Sequence, residues 1–479
     1  MRELCAWSVQ ALSRGLAEGS ITSAEITRAY LDAIAQKDGA IHAYLEVFAG
    51  EAMESARQSD ARRADHAALS PLDGVPLAVK DNIAMRGHVC SCASRMLADY
   101  VSPYDAAAIE RVRAAGMPIL GRLNMDEFAM GSATDTGAFG PTRNPVDLTR
   151  VPGGSSGGCA AAVAAGLAPI ALGSDTGGSV RQPAALCGVT GVKPAYGAVS
   201  RWGLVAFASS LDQIGVLAKS AGDAALLLAL LCGADARDRT SDPALAFTPA
   251  SPPEDARGWT IGLPEECLEE GLDDEVCAAM ERTARRLEAL GARVRRVSMP
   301  LLRYALPAYY VLSAAEASSN LARYDGVRYG HRARAYADLD GLYRQSREEG
   351  FGMEVKRRIL LGTFALSEGY QDAYYLRAQR VRDALRAQIE AVLEACDALL
   401  MPVTPGPAWR FGEKTDPVER YLGDLYTVPA NLTGLPAVSL PLARTRGGLP
   451  IGVGLMGRRY GLAELLALCG LLEEGGETA

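Results

Sequence analysis

Histidine is nearly missing from this chain. Its 479 residues hold four, His42, His66, His88 and His331, and none stands in a glycine-rich stretch. The commonest general base of hydrolases is therefore out of reach of most arrangements. Lysine is almost as scarce: Lys37, Lys80, Lys193, Lys219, Lys356 and Lys414 are the full set, so nearly all positive charge is arginine. Arginine keeps its proton at working pH, whereas a buried lysine can give its proton up, so a basic side chain acting as base has few candidates. Metal-ligand spacing is also lacking. The ten cysteines are scattered, and the closest pair, Cys90 and Cys92, has no histidine or second cysteine pair beside it. Reduced cysteines and no metal site are expected. No apolar run approaches the ~18 residues of a membrane span. The longest, Ala224 to Cys232, reads as a core helix, and the opening MRELCAWSVQALSRGLAEGS shows no apolar leader. These features point to a cytoplasmic protein. A net charge of -8 argues against a chain that grips nucleic acid by itself, because phosphate binding needs a basic surface. It leaves room for a role beside a nucleic-acid-binding partner.

What is present is a large apolar fraction, 49%, enough for one extensive core. Residues 1–70 read as helical. Thr22 and Glu25 have capping-box spacing, and Ile26, Tyr30, Ala33 and Ile34 follow on one face. Strand-like runs begin at Val75–Lys80 and recur at Met117–Leu120, Pro169–Leu172, Leu399–Met401 and Ala437–Leu440. Helical patterns separate several of them, which predicts an α/β fold around a buried, parallel or mixed sheet. From Gly233 to Gly258 the chain turns polar and proline-rich, as a loop or subdomain joint would. Beyond it, Trp259–Gly262 and Ala292–Val297 read as strands around a helix with Val276, Met280, Leu287 and Leu290 on one face, stopped by Gly291. That is a βαβ-like unit. The tail after Gly470 is polar and expected to fray. The organisation expected is one domain over 1–479: a helical region to about 70, a core over about 71–220, the polar loop 233–258 and a C-terminal part 259–470.

Residues 152–179, PGGSSGGCAAAVAAGLAPIALGSDTGGS, concentrate the chemistry. Two Gly/Ser clusters bracket a small-residue helix and a short strand, and such glycine density means tight turns and backbone brought close to a ligand. A flexible linker would not contain so structured an Ala/Val/Leu run. Neither cluster has the order of a phosphate loop, and the dinucleotide spacing is missing. Gly153–Gly157 matches G-x-S-x-G, the nucleophile elbow of α/β-hydrolases. An elbow needs a strand before it and a histidine after it; Arg143–Pro152 holds two prolines, and the only later histidine is His331. The second cluster fits better. Ile170–Leu172 is a strand, Thr176–Gly178 a tight turn, and Ser179 with Gln182 has capping-box spacing, so Ser179 is expected at a helix start. On local pattern alone it could be a plain cap. As a nucleophile it would need a base. Lys80, closing the strand Val75–Val79, would lose hydration and become a neutral base, unless Asp81 beside it keeps it charged.

These residues resemble the amidase signature family from about Thr22 to Arg458, with the core stretch Gly153–Pro194 most specific. The resemblance implies an α/β/α layered fold around a large mixed sheet and a Ser–cis-Ser–Lys triad of Ser179, Ser155 and Lys80. It implies an oxyanion hole from the backbone of Thr176, Gly177 and Gly178. Asn124–Ser132 (NMDEFAMGS), Asn320–Gly330 (NLARYDGVRYG) and Glu354–Ser367 (EVKRRILLGTFALS) are similar to the family's branch that serves tRNA amidation. That branch implies a glutaminase that hydrolyses free glutamine. Arg358 would bind its carboxylate, Asp424 its α-ammonium, and Tyr309 would line the pocket within the C-terminal part. The ammonia would go to partner subunits B and C, which convert mischarged Glu-tRNA(Gln), and in some settings Asp-tRNA(Asn). ATP and Mg²⁺ would belong to the partner, with no cofactor in this chain. A stand-alone amidase is the alternative, and a non-catalytic scaffold a more distant one. Ala133–Gly137 and Gly454, where glutamine is common, depart from the family pattern.

Overall fold

Short apolar runs with no polar face can be buried on both sides only between layers of helices, and the chain folds accordingly. A computed structural model describes residues 4–268 and 271–474. The first half contains α1 (Val9–Glu18), α2 (Ser23–Ile41), β1 (Tyr44–Val47), α3 (Ala49–Ala64), β2 (Leu77–Lys80), α4 (Ala107–Ala114), β3 (Ile119–Leu123), α5 (Gly157–Ala164) and β4 (Ile170–Asp175). It continues with α6 (Arg181–Cys187), β5 (Thr190–Lys193), β6 (Gln213–Ala218) and α7 (Ala221–Leu231). After the polar segment come β7 (Thr260–Pro264), α8 (Asp274–Ala289), β8 (Arg293–Val297), α9 (Ala305–Asn320), α10 (Leu339–Gly350), α11 (Met353–Leu366) and α12 (Arg377–Ala395). The last part holds β9 (Ala398–Pro402), α13 (Pro417–Tyr421), α14 (Val428–Thr433), β10 (Ala437–Arg444), β11 (Pro450–Gly457) and α15 (Leu462–Glu474).

The described strands form one 11-stranded mixed sheet in the order β1-β3-β2-β4-β6-β5-β10-β11-β9-β7-β8. β2 runs parallel to both β3 and β4, and β7 runs parallel to β8 and β9; the remaining pairs are antiparallel. The helices cover both faces. Along β11, Gly452 faces Ala185 of α6, while Gly457, an odd number of residues on, faces Leu465 of α15. The α/β fold and the βαβ unit of β7, α8 and β8 are as expected, and so is the core helix at Ala224–Cys232, which is α7.

Several expectations are corrected. The helical region over 1–70 contains an edge strand, β1, paired antiparallel with β3. The tail does not fray straight after Gly470: α15 continues to Glu474 with Leu471 and Leu472 buried, and residues 475–479 lie outside the described residues. The capping box of Thr22 and Glu25 forms, with both reciprocal hydrogen bonds present. The second one does not: Val180 occupies the N-cap of α6 and no side chain caps from that position.

Candidate active site

Parallel β2 and β4 end on the same side of the sheet, where ligands of α/β sheets bind. That geometry places Lys80, the last residue of β2, against Ser174 near the end of β4. Lys80 is fully buried. Its Nζ lies 2.8 Å from Ser155 Oγ, 2.8 Å from Ser156 Oγ and 2.9 Å from Ser174 Oγ. Burial pushes the Lys80 amine down to about 8, against the pull of Asp126 and Asp175. Asp81, the neighbour that could have kept it charged, faces away. Its carboxylate accepts from Arg122 Nη1 at 3.0 Å, Ala93 N at 3.1 Å, Ser91 N at 3.3 Å and the Ser91 hydroxyl.

The first Gly/Ser cluster is not an elbow, because no strand precedes Gly153. It is a loop tied down on both sides of its cis Gly154–Ser155 peptide. Gly154 N donates to Gln182 Oε1 at 2.8 Å, Thr134 Oγ1 donates to Gly153 O at 2.8 Å, and Asp126 N donates to Ser155 O at 3.2 Å. Gln182 is thus spent on this loop and not on a capping box. Ser156 N donates to Ser179 O at 3.0 Å, which brings the two clusters edge to edge.

Asp175 organises the second cluster. Its carboxylate accepts from the N–H groups of Gly178 at 2.9 Å, Val180 at 3.1 Å and Arg181 at 3.4 Å, the task expected of Ser179. Arg181 grips it through Nε at 3.1 Å and Nη2 at 3.0 Å, and also reaches Thr427 O at 2.9 Å and Asn431 Oδ1 at 2.7 Å. Burial opposes the charge of Asp175, but the Arg181 guanidinium holds the carboxyl well below the usual range. Ser179, 7% exposed, is thereby released from capping, and its hydroxyl takes no hydrogen bond among the described residues. The N–H groups of Thr176 and Gly177 are likewise unengaged there, whereas that of Gly178 is already given to Asp175. Thr176 Oγ1 donates to Asp212 at 2.6 Å, and Thr427 Oγ1 donates to Gly177 O at 2.6 Å, so the turn is fixed from both flanks. Tyr309 closes over it: any side chain on Gly177 would collide with the Tyr309 hydroxyl.

A cavity of about 210 Å³ opens beside this turn, lined among others by Tyr310, Glu354, Arg358, Tyr421 and Asp424. Arg358 is 3% exposed, and its Nε donates to Glu354 Oε1 at 2.7 Å. Its Nη1 is buried and takes no partner among the described residues. Burial pushes the Asp424 carboxyl up to about 7, against the hydrogen bond from Tyr310 Oη at 2.8 Å. Lys80 and Ser155 meet in one cluster, and Arg358 and Asp424 in the other. Ser179 and Tyr309 do not line the cavity; the link is Thr427, which bonds to Gly177 O and to Asp424 O at 3.1 Å. The first two of the three family-like segments meet nearby, and the first is also tied to the residues just before the third. Phe128 lies 5.1 Å from Tyr324 and 5.7 Å from Phe351 between ring centroids, and Gly352 N donates to Glu127 Oε2 at 2.8 Å. Of the departures, Thr134 and Asp135 lie in a loop whose N–H groups bond to Asp126 at 2.9 and 3.1 Å. Gly454 lines a separate small cavity with Arg181 and Thr427.

Sequence reasoning missed Asp175, Arg181, Ser156, Ser174, Glu354, Tyr310 and Tyr421. Asp175 carried a usable signal, as an acid standing just before a glycine turn ahead of a helix. The others take their meaning from neighbours up to 250 residues away, as Arg181 does from Asn431. The four histidines take no part: His331 pairs with Glu349, His88 with Glu51, His42 faces Pro141 O, and His66 is exposed. Among the described residues there is no metal-capable cluster, and no helix is long and apolar enough to cross a membrane.

Residues 25–466 match the Amidase family. The A subunit of glutamyl-tRNA(Gln) amidotransferase from Moorella thermoacetica is 52% identical over 478 residues, covering 99% of this chain and 98% of that protein. Its counterpart from Azoarcus sp. (strain BH72) is 50% identical over 467 residues, 96% of each chain. Among solved structures, the A subunit of the Thermotoga maritima glutamyl-tRNA(Gln) amidotransferase superposes with a TM-score of 0.82 at 38% identity, covering 99% of this chain and 96% of that one. The peptide amidase of Stenotrophomonas maltophilia gives 0.81 at 30% identity, covering 98% and 97%.

Proposed function

The chain belongs to the amidase family, and from that premise we propose that it is the glutamine-hydrolysing subunit of a Glu-tRNA(Gln) amidotransferase. The observation that carries the chemistry is the buried Lys80 bonded to Ser155. A neutral lysine has two N–H groups and one lone pair. Ser156 gives its hydroxyl proton to Ser174 O at 3.1 Å, so toward Lys80 it can only accept. Ser174 Oγ already accepts from Asn82 Nδ2 at 2.9 Å. The two N–H groups of neutral Lys80 can be taken by these two oxygens, which leaves the lone pair free to accept from Ser155, whose hydroxyl has no other partner among the described residues. Ser155 can therefore donate to Lys80 and accept from Ser179, which is what a proton relay requires.

In the reaction, glutamine lies with its carboxylate at Arg358 Nη1, its α-ammonium at Asp424 and its side-chain amide at Ser179. Ser179 Oγ attacks the amide carbon as its proton passes through Ser155 to Lys80. The oxyanion is met by the unengaged N–H groups of Thr176 and Gly177; Gly178 contributes by holding Asp175 and so fixing the turn. Collapse expels ammonia, protonated by the same relay, and water then releases glutamate from Ser179. The ammonia passes to subunits B and C, which hold the mischarged tRNA, ATP and Mg²⁺. The names and full-length similarity of the relatives support this assignment over a stand-alone amidase.

Ser179→Ala tests the assignment. In the assembled complex it should abolish ammonia release from glutamine while leaving ammonia-supported amidation of tRNA largely intact. Equal loss of both activities contradicts the role given to Ser179.

A further inference from the structure

Arg358 and Asp424 are gripped by side chains from three elements. From α11, Glu354 takes Arg358 Nε at 2.7 Å. From the end of α13, Tyr421 Oη donates to the same oxygen, Glu354 Oε1, at 2.8 Å, while Arg357 Nη1 occupies Oε2. Glu354 thus has both oxygens engaged away from the Nη1 edge of Arg358, which is buried and unpaired among the described residues. The guanidinium carbon lies 4.5 Å from the Tyr310 ring centroid and 4.8 Å from that of Tyr421, and the two rings stack at 4.2 Å. From α9, Tyr310 spends its hydroxyl proton on Asp424 Oδ2, and Oδ1 takes no hydrogen bond among the described residues.

Two open valences result. A buried guanidinium edge lacks an acceptor, and one oxygen of a carboxylate lacks a donor. Tyr310 bonds to the carboxylate through its hydroxyl and faces the guanidinium with its ring, whereas Tyr421 reaches the guanidinium through its ring and through Glu354. An unpaired buried polar group costs free energy until a ligand completes it, so a ligand with one charge missing leaves one group unsatisfied.

We propose that Tyr310, Glu354 and Tyr421 are positioning residues that set the two charge-reading groups through separate hydrogen bonds. Tyr310 aims Asp424 at the ammonium, and Glu354 with Tyr421 aims Arg358 at the carboxylate, so that the ring selects a free α-amino acid over a singly charged or neutral amide. This rests on reading Arg358 and Asp424 as the glutamine clamp.

The experiment uses the chain assembled with its partner subunits and measures glutamine hydrolysis, alone and in competition with two analogues. Glutaramate lacks the α-ammonium, and 4-aminobutanamide lacks the α-carboxylate. Tyr310→Phe should raise KM for glutamine about tenfold, the size of one hydrogen bond to a charged group, with kcat held within about twofold. It should weaken competition by 4-aminobutanamide and spare that by glutaramate. Glu354→Gln should do the reverse, weakening glutamine and glutaramate while sparing 4-aminobutanamide, and Tyr421→Phe should follow it with a smaller effect. Uniform weakening of all three ligands, an unchanged KM, or a fall in kcat alone would overturn the proposal. The variants lie on three elements, so one that fails to fold leaves two to decide. A wild-type complex that does not hydrolyse glutamine would instead sink the functional assignment.

Discussion

Lys80 shows how a single side chain can be made reactive by position alone. Its amine sits near 8 because burial removes water that would stabilise the cation. The protonated form cannot accept the proton of Ser155, so the active form grows as pH rises. Well below about 8, kcat/KM for glutamine hydrolysis should climb at least about tenfold per unit as pH rises, and it should level off above that value. A pH profile of the assembled complex checks this, and a flat profile between pH 6 and 8 refutes it. Lys80→Arg should be inactive at every pH, because arginine is never a neutral base. The scarcity of lysine made Lys80 legible in the sequence. Its surroundings were not legible. Ser156 and Ser174 look like ordinary serines until the fold places them at 2.8 and 2.9 Å from Nζ. Asp81, adjacent in sequence, stands past the end of β2 and is spent on Arg122, Ser91 and Ala93, partners that only the fold brings to it.

At the scale of elements, the clamp depends on how closely α11 can approach α9. Gly362 of α11 lies so near the Ala314 carbonyl of α9 that any side chain would push the helices apart. Arg358 stands one turn before Gly362, and Tyr309 and Tyr310 stand one turn before Ala314. Gly362→Ala should therefore cost about 1–3 kcal/mol of stability, as overpacking does, and should raise KM for glutamine more than it lowers kcat. Denaturant midpoints and steady-state kinetics measure both; an unchanged KM would detach this contact from the site. The elements themselves were unevenly readable. β4, β7, β9 and β10 stood out as apolar runs. β6, β11 and β1 did not. β11 reads PIGVGLMG, whose glycines blunt any strand signal, yet one of them, Gly452, is what lets α6 press against it at Ala185. The start of α6 was legible, but its cap was misassigned to Ser179, because Asp175 reaches the same N–H groups from the end of the preceding strand.

For the whole molecule, the sheet joins sequence-distant parts in an order that the chain does not follow. β5 from the first half pairs with β10 from the last part, Lys193 opposite Ala437 and Gly191 opposite Ser439. The polar segment between Gly233 and Gly258 spans the two parts on the surface, with Arg239 exposed. A chain nicked by trypsin at Arg239 should therefore stay together through gel filtration and keep its glutaminase activity when assembled. Fragments that separate under native conditions would show two independent units where the sheet implies one. The one-domain organisation expected from the sequence rests on that outcome. Composition alone could not supply it, since strand pairing over some 240 residues leaves no local mark.

The same topology bears on when the protein becomes an enzyme. Arg181 completes its contacts with Thr427 O and Asn431 Oδ1, and Thr427 also secures Gly177. During translation, Ser179 emerges from the ribosome while those partners are still unmade. A nascent or truncated chain ending before Asn431 carries the nucleophile without the braces that orient it. The nucleophile can therefore be braced in its working orientation only once residue 431 has been added and folded against Arg181.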